Sequence, residues 1–517
     1  MIRQRIEQAV KEALAVLGAG ETAFVVERPR QMTHGDYSTN AALVGKIDPN
    51  ELAGRLKIEG VEKVEVVGKF INFFLSREAL AQEVENAAND KEWGSNELYK
   101  GKKIMVEYTD PNPFKEFHIG HLMSNAIGES LARVLEHSGA EVKRANYQGD
   151  VGPHVAKAIW GKLQKPEMSW GEAYVFGNDQ YEAKKGEIDE INKKVYEKSD
   201  EKINKLYEEG RKQSLQHFEE IYKTLGTKFD YYFFESESAP LGLEAVKKHK
   251  DIFEESEGAI VYKGPHTRVF VNSLGLPTYE AKEIGLAKLK QEKYTADTYI
   301  YVTANEQNGF FEVVFEAIQK VFPALLGKLM HHSHGMMRFA EGKMSSRKGN
   351  VVTGESLIKD LTEAARDRED VAVGAIKYAV LKQGSGKDIV FDQEKSLSLE
   401  GDSGPYVQYA HTRALSLIKE ADKAGITASN ENMLEPGTLE RLLVHFPDAV
   451  ARAAKELEPH YVTTYITELA SAFNSWYASE RLIGGKNPPY GLLLTQAVEQ
   501  TLSKGLHVLG IPAPEKM

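Results

Sequence analysis

The stretch KIMVEYTDPNPFKEFHIGHLMSNAIGESLARVLEHSGAEVKRANYQ, residues 103–148, decides the fold. It opens and closes on strand-like runs. Between them Leu122, Ala126, Ile127, Leu131, Val134 and Leu135 recur on one helical face, and Gly139 is a natural C-cap. Strand, helix, strand predicts a parallel sheet with a right-handed crossover. The helix then starts at the carboxyl edge of the sheet, where free backbone N–H groups and the macrodipole favour an anion. His118-Ile119-Gly120-His121 falls at that opening. The two histidines, three apart, lie on one side of it and can donate to phosphate oxygens. Gly120 removes a side chain where a nucleotide must lie close. Alone, the tetrapeptide also reads as two surface histidines at a helix cap; its place after a strand and before an amphipathic helix favours the functional reading.

A second segment lies far downstream: Lys343-Met344-Ser345-Ser346-Arg347-Lys348-Gly349-Asn350, with Gly342 before it. Cations and hydroxyls on a glycine-hinged loop suit a triphosphate whose charge shifts during displacement. An exposed charged loop is the plain alternative, and the pairing with the histidine motif argues against it.

Composition sets the frame. A chain of 517 residues is too long for one core, so three or four domains are expected. With 42% hydrophobic and 27% charged residues it reads as globular, and no run approaches the roughly 20 apolar residues that span a bilayer. The opening amphipathic helix carries Glu7, Lys11 and Glu12, which speaks against a secretory signal. The absence of cysteine excludes disulfides and thiolate zinc, and a cytoplasmic location is expected. The net charge of −11 speaks against a dedicated nucleic-acid binder, but an acidic back surface is compatible with a locally basic groove.

Along the chain, residues 1–98 form a first unit, a helix followed by β-rich pieces at 23–27, 61–67 and 70–75, with a Gly35-Asp36-Tyr37 turn. Residues 99–400 carry the α/β pattern. Within them 163–257 is charged and helical and reads as an insertion. Strand patterns return at 259–262, 268–272 and 298–302. From 401 to 517 the signal is nearly all helical. The expected architecture is multidomain: a small α+β N-terminal domain, a Rossmann-like parallel-sheet core with a helical insertion, and an all-α C-terminal domain. Tyr279 and Glu283, four apart, share a helix face. Tyr406, Tyr409 and Arg413, at i, i+3 and i+7, share another and suit stacking of unpaired bases, although an aromatic pair at this spacing is also common in cores.

VEYTDPNPFKEFHIGH, NYQGDVGPH, GLPTYEAKEIG, YVTANEQNGFF, GPYVQYAHTRA and the terminal LGIPAPEKM resemble, in this order, the arginyl branch of the class I aminoacyl-tRNA synthetases. The matches run from about residue 35 to 517. The resemblance implies ATP-dependent attachment of L-arginine to tRNA(Arg) through an arginyl-adenylate. It implies magnesium with the ATP, no structural metal and no membrane, and we expect a monomer. Lys115, His118, Gly120, His121, Lys343 and Ser345 match its ATP-handling positions, with Lys115, His118, His121 and Lys343 as the catalytic set. The mobile loop of the class ends Lys-Met-Ser-Lys-Ser. This chain has Ser346 at the fourth place, and Arg347 or Lys348 is left to supply the cation. Glu107, Asn112, Tyr279, Glu283 and Gln307 match the amino-acid pocket, with Glu283 where the family has aspartate. Lysine should be a poor substrate, since an ammonium leaves acceptors of a guanidinium fork unpaired. Residues 401–517 correspond to the anticodon-binding domain, with Tyr406, Tyr409, Arg413 and Met517 as tRNA contacts. Residues 1–98 correspond to the domain that meets the tRNA elbow through Asn72. Trp476 suits core better than base stacking.

The alternatives are another class I synthetase, a small nucleotidylyltransferase of the HxGH type, and a silent paralogue that only binds tRNA. A cysteinyl enzyme would use zinc-binding cysteines. A glutamyl enzyme would offer cations to its substrate. A nucleotidylyltransferase leaves the helical C-terminal unit unexplained. The silent binder is disfavoured by intact His118, His121 and Lys343, with Ser346 and Glu283 leaving it some room.

Overall fold

The computed structural model of the chain describes residues 2–339, 352–431, 433 and 435–517. Strand β1 (Lys103–Glu107) is buried from Ile104 onward, the continuous apolar run expected of a strand covered on both faces. Four others align parallel to it: β2 (Glu141–Gln148), β3 (Tyr231–Phe234), β4 (Thr298–Ala304) and β5 (Leu329–His334). Their spatial order is β5-β4-β1-β2-β3. The chain leaves β1 toward β2 on one side and later returns to β4 on the other. The strand order therefore reverses at the carboxyl end of β1, the place where a doubly wound sheet opens a crevice for ligands. Helix α1 (Ile119–His137) starts at that crevice and buries nearly its whole length between Leu122 and Leu135.

Within the segment read as a helical insertion, three helices stand as expected: Trp170–Asp179, Tyr181–Glu197 and Glu201–Thr224. Tyr231–Phe234 departs from that reading. It is β3, the edge strand of the parallel sheet, paired with β2. Four aromatic residues at the end of a charged run are too short to display a period of two. A small antiparallel sheet of Glu254–Ser256, Ala259–Lys263 and Thr267–Val271 follows, separate from the parallel one.

The N-terminal unit is a four-stranded antiparallel sheet flanked by helices Ile2–Val16 and Arg77–Asn89. The C-terminal unit is helical: α4 (Gly404–Lys423), then Thr438–Leu443, Phe446–Glu456, His460–Ser479 and Pro488–Val508. The two ends of the chain meet. Helix Arg77–Asn89 packs on Pro488–Val508, and buried Asp36 accepts from Arg441 Nη1 at 2.7 and 2.8 Å and from the Leu75 N–H at 2.8 Å. One apolar core runs through both units and the parallel sheet. Among the described residues no helix is long and apolar enough to cross a membrane.

Helices α2 (Glu235–Lys248) and α3 (Tyr279–Lys293) flank the crevice and cross in close contact. Glycine makes the crossing possible. A Cβ on Gly285 would fall 1.9 Å from the Ser238 carbonyl oxygen, and one on Gly242 would fall 1.8 Å from that of Ala281. Neither obstacle is a side chain that can turn away. Gly285→Ala must push the helices apart, at a cost of about 1–3 kcal/mol or more. We expect a thermal transition several degrees below wild type and a wider crevice beside α3. An unchanged melting temperature would mean the crossing has slack.

Candidate active site

The loop after β1 carries backbone strain. Thr109, Asp110 and Phe114 have positive φ, at 80°, 45° and 70°, uncommon for residues with a Cβ. Asp110 is fixed there by the Tyr147 N–H, 2.7 Å from its Oδ1. Ser124 of α1 anchors the loop from the other side, accepting from the Thr109 N–H at 2.9 Å and donating to the Val302 carbonyl at 2.8 Å.

His118 and His121 close α1 with a reciprocal cap. The His118 N–H donates to His121 Nδ1 at 3.2 Å, and the His121 N–H donates to His118 Nδ1 at 3.3 Å. Their rings stack with centroids 3.4 Å apart. Two consequences follow. Both Nδ1 atoms are acceptors, so the ring protons reside on Nε2 and both Nε2–H groups are free to donate. Both rings also remain neutral: burial, then the nearby Lys115 ammonium, lowers the His118 pKa, and burial followed by His118 and Lys115 lowers that of His121 further. Gly120 admits this stack, since a Cβ there would press on the His118 ring at 3.0 Å. Lys115 itself turns toward the insertion, with Nζ 5.1 Å from the Tyr174 ring centroid, and is not part of the cavity wall.

A cavity of about 730 Å³ opens here. His118, Gly120, His121, His334 and Met336 line it, as do Glu107, Asp110, Asn112, Glu235, Tyr279, Glu283 and Gln307. The histidine motif and all five residues expected in the amino-acid pocket thus share one wall system, gathered from β1, α1, α3 and the end of β4. The sequence reading missed Asp110, Glu235, Lys282 and Lys290. The acidic floor is mostly paired internally. Lys290 Nζ lies 2.6 Å from Glu107 Oε2, and Lys282 Nζ 2.6 Å from Glu235 Oε2. Glu283 is buried, and its Oε2 has no hydrogen-bond partner. Burial, then the charge of Glu107, pushes its pKa up to about 8. Burial, again with Glu107, raises Asp110 well above the usual carboxylate range. At neutral pH the empty cavity holds Glu283 mainly as an acid. Tyr279, at the mouth, is 61% exposed.

Lys343, Ser345, Ser346 and Arg347 lie outside the described residues, as does Lys348. The described chain on either side of them is close to the site. Met337–Phe339 runs beside Ile389–Phe391, and Met336 lines the cavity. Thr353 forms a β-bridge with His118, and the Gly354 N–H donates to the Phe117 carbonyl at 2.8 Å. The chain on leaving that segment therefore rejoins the histidine turn.

In the helical unit Tyr406, Tyr409 and Arg413 are the half-exposed positions on a face of α4 whose neighbours are buried. Arg413 is held flat. Its guanidinium is 4.6 Å from the ring centroids of both Tyr409 and Tyr477, and it donates to Asn474 Oδ1 at 2.7 Å. Tyr477 and Asn474 come from another helix, which spacing on α4 could not reveal. Trp476 stacks on Phe473 and is half-buried at the edge of the core. The C-terminal tail crosses α4, its Pro512 carbonyl accepting from Gln408 at 2.8 Å, and ends at Met517, 39% exposed. Asn72 requires correction. It is 3% exposed, in a strand bordered on both sides, with Ser38 and Glu65 as its register partners. Its side chain is enclosed and offers nothing at the surface for an RNA.

Three family models match the chain in order. The arginyl tRNA synthetase N-terminal domain matches residues 1–75, the class I (R) tRNA synthetase catalytic domain residues 83–393, and the DALR anticodon binding domain residues 407–517. The arginine–tRNA ligase of Clostridium perfringens is 31% identical, over 95% of this chain and 96% of its own length. That of Borrelia hermsii is 29% identical, over 99% and 97%. Among solved structures, arginyl-tRNA synthetase from Thermus thermophilus aligns over 100% of both chains with a TM-score of 0.85 at 27% identity. A catalytic-domain match covering more than half the residues, over a doubly wound sheet with the histidine pair at its switch point, means that this chain belongs to the arginyl-tRNA synthetase family of class I.

Proposed function

We propose that the cavity at the end of β1 seats L-arginine beside ATP and that the chain joins arginine to tRNA(Arg). The observation that carries this reading is the juxtaposition in one cavity of two neutral Nε2–H donors and a buried carboxylate without a partner. The donors suit phosphate oxygens. The carboxylate suits a guanidinium, which is planar, permanently charged and able to bond in a bidentate way. In the first step the arginine carboxylate attacks the α-phosphate and diphosphate leaves. In the second a terminal ribose hydroxyl of the tRNA takes the arginyl group and AMP leaves. No side chain forms a covalent intermediate; the residues orient the reactants and stabilise developing charge. His118 and His121 donate to the nucleotide, Gly120 lets it lie against the turn, and Lys115, Lys343, Ser345, Ser346 and Arg347 supply further phosphate contacts. Asn112, Tyr279 and Gln307 frame the arginine, with Glu283 on its guanidinium and Glu107 beneath. Magnesium enters as part of the nucleotide substrate. Residues 401–517 read the anticodon through Tyr406, Tyr409, Arg413 and Met517. The N-terminal unit 1–98 approaches the tRNA elbow by surface residues other than Asn72. The cysteine-free chain works as a cytoplasmic monomer.

The test is radiolabelled pyrophosphate exchange, with tRNA included. Exchange that saturates with arginine supports the reading; tRNA binding without exchange under any condition would favour a silent binder.

Two further outcomes are expected. The first concerns pH. Below about 8 Glu283 is an acid in the empty cavity, and a guanidinium needs the carboxylate, so binding must expel a proton. The KM for arginine should therefore fall as pH rises from 6, by up to about tenfold per unit, and level off above 8. Glu283→Gln should flatten that profile and raise KM roughly 30-fold or more. A wild-type KM independent of pH would contradict the assignment. The second concerns RNA. Tyr409→Ala removes a stacking ring worth about 1–3 kcal/mol per base and releases Arg413. It should weaken tRNA(Arg) binding by roughly tenfold or more, leaving arginine KM within about twofold. Filter binding that returns the wild-type affinity would remove this face from the tRNA contact.

A further inference from the structure

Helix His460–Ser479 works on two sides. Asn474 and Tyr477 meet Arg413 of α4. By helical spacing Ser475, Trp476 and Ser479 fall on the other side, and there a second cavity of about 460 Å³ opens. That volume is within the roughly 300–1,000 Å³ of ligand pockets. The cavity lies where the helical unit meets the N-terminal one: helices Thr438–Leu443 and Pro488–Val508, which supply further wall, both pack on Arg77–Asn89. Trp476 sets it apart from a packing gap. Of the four tryptophans, Trp93, Trp160 and Trp170 donate their indole N–H to Thr501, Glu187 and Gln213 at 3.0, 2.9 and 3.0 Å. Trp476 is half-buried, and its N–H has no hydrogen-bond partner among the described residues. It offers an apolar ring and an unspent donor. Glu440, 6% exposed, lines the same cavity. Its oxygens accept from the Tyr490 hydroxyl at 3.1 Å and the Gly437 N–H at 3.0 Å, which leaves each a second lone pair. Arg481 and Lys486 are exposed wall residues on the loop between the helices and enter no ion pair among the described residues.

We propose that this cavity takes one nucleotide of the tRNA, turned out of its strand: the base enters against Trp476 with its amino edge on Glu440, and its phosphate stays outside with Arg481 and Lys486. The charge distribution favours that orientation. Glu440 inside, reinforced by Glu435 and Glu480 of the wall, repels a phosphate and accepts from an amino group. The two unpaired cations suit the phosphate that follows the base. Every base has a face to stack, and unpaired nucleotides of a folded RNA can be splayed out to do so. A free nucleotide shares this chemistry; the place favours RNA, because the units that meet here are the ones assigned to the anticodon and the elbow. The inference rests on the helical unit binding tRNA, and extends that contact from α4 to the other side of His460–Ser479.

Filter binding of tRNA(Arg) to the full chain, and quenching of its tryptophan fluorescence by AMP, CMP, GMP and UMP, test this on Trp476→Leu, Trp476→Phe and Lys486→Ala. Trp476→Leu should weaken tRNA binding about tenfold or more, the loss of one base stack. Trp476→Phe keeps a ring without the N–H and should cost about threefold. Lys486→Ala should weaken binding and reduce the slope of log Kd against log salt by about one. Wild-type affinity in all three variants overturns the proposal. A loss in Trp476→Leu alone overturns it as well, by marking the indole as core. Should Trp476→Leu fail to fold, Trp476→Phe and the surface variant Lys486→Ala still decide. Quenching by a monophosphate that Trp476→Phe abolishes, with tRNA affinity unchanged, overturns the assignment to tRNA in favour of a free nucleotide. The α4 face is tested separately: wild-type affinity in Tyr409→Ala beside a loss in Trp476→Leu would sink that face alone. Normal tRNA binding without pyrophosphate exchange would sink the proposed catalysis and leave this pocket standing. A wild-type chain that binds no tRNA would remove both.

Discussion

Burying carboxylates at the open end of a parallel sheet is the constraint on which the rest of the site depends. An ionised carboxylate loses several kcal/mol of effective hydration when taken out of water, and only a close opposite charge or a set of N–H donors returns it. The chain meets this demand with lysines from the same helix that supplies the free acid. Lys282 and Lys290 of α3 neutralise Glu235 and Glu107, and Glu283 stands between them in sequence. The helix must then approach α2 and the sheet closely enough for 2.6 Å contacts. The Gly242–Gly285 crossing permits that approach. Packing and electrostatics are here one requirement: a wider crossing would leave Glu235 buried without its cation.

The histidine turn obeys a different rule. Anion binding at a helix N-terminus normally relies on N–H groups that a cap has left free. In α1 the cap is built from the two histidines, each ring nitrogen satisfying the other's backbone N–H. The usual capping residues would satisfy the same N–H groups and end there. Histidine satisfies them and still presents a second donor on the far side of its ring. Neutral rings donate without adding positive charge to a cavity lined by Glu107, Asp110, Glu235 and Glu283. The depression of both pKa values by burial and Lys115 keeps them so.

The sequence disclosed what is periodic or local. The β1–α1–β2 unit, the long helices and the histidine turn all follow from spacing. The pocket acids that were foreseen came from family resemblance, since nothing in their spacing joins Glu107 to Glu283. Three kinds of feature stayed hidden. Tyr231–Phe234 was too short to show alternation against a charged background, so the fifth strand of the sheet was absorbed into the insertion. Lys282 and Lys290 look like ordinary polar positions of an amphipathic helix. Only the tertiary fold shows that their side of α3 faces inward, with Lys290 1% exposed. Asn72 was singled out by the resemblance alone; its strand is an inner one of its sheet, and the side chain is 3% exposed. Arg413 was legible as one face of α4, but Tyr477 and Asn474, which flatten its guanidinium, come from a helix some sixty residues later.

The same reasoning explains how the ends of the molecule hold together. Tyr108 follows Glu107 on β1 and donates to buried Glu129 at 2.5 Å. Glu129 also receives Arg133 at 2.7 Å and Arg144 at 3.3 Å. Arg133 reaches on to the carbonyls of His507 at 3.0 Å and Gly226 at 2.9 Å. Beside it, fully buried Lys377 bridges the Leu225 carbonyl at 2.6 Å and the Gly510 carbonyl at 2.7 Å. Insertion, helix α1 and C-terminal tail thus converge on a few buried charged and polar groups, each satisfied from more than one segment. Removing any one leaves another uncompensated, which is far costlier than losing a surface pair. Such a network fixes one arrangement of the segments, because alternatives would strand a charge. The tail that bears Met517 and crosses α4 is thereby set in register with the strand that carries Glu107. The C-terminal tail and the cavity at the end of β1 are thereby tied through the same buried polar network.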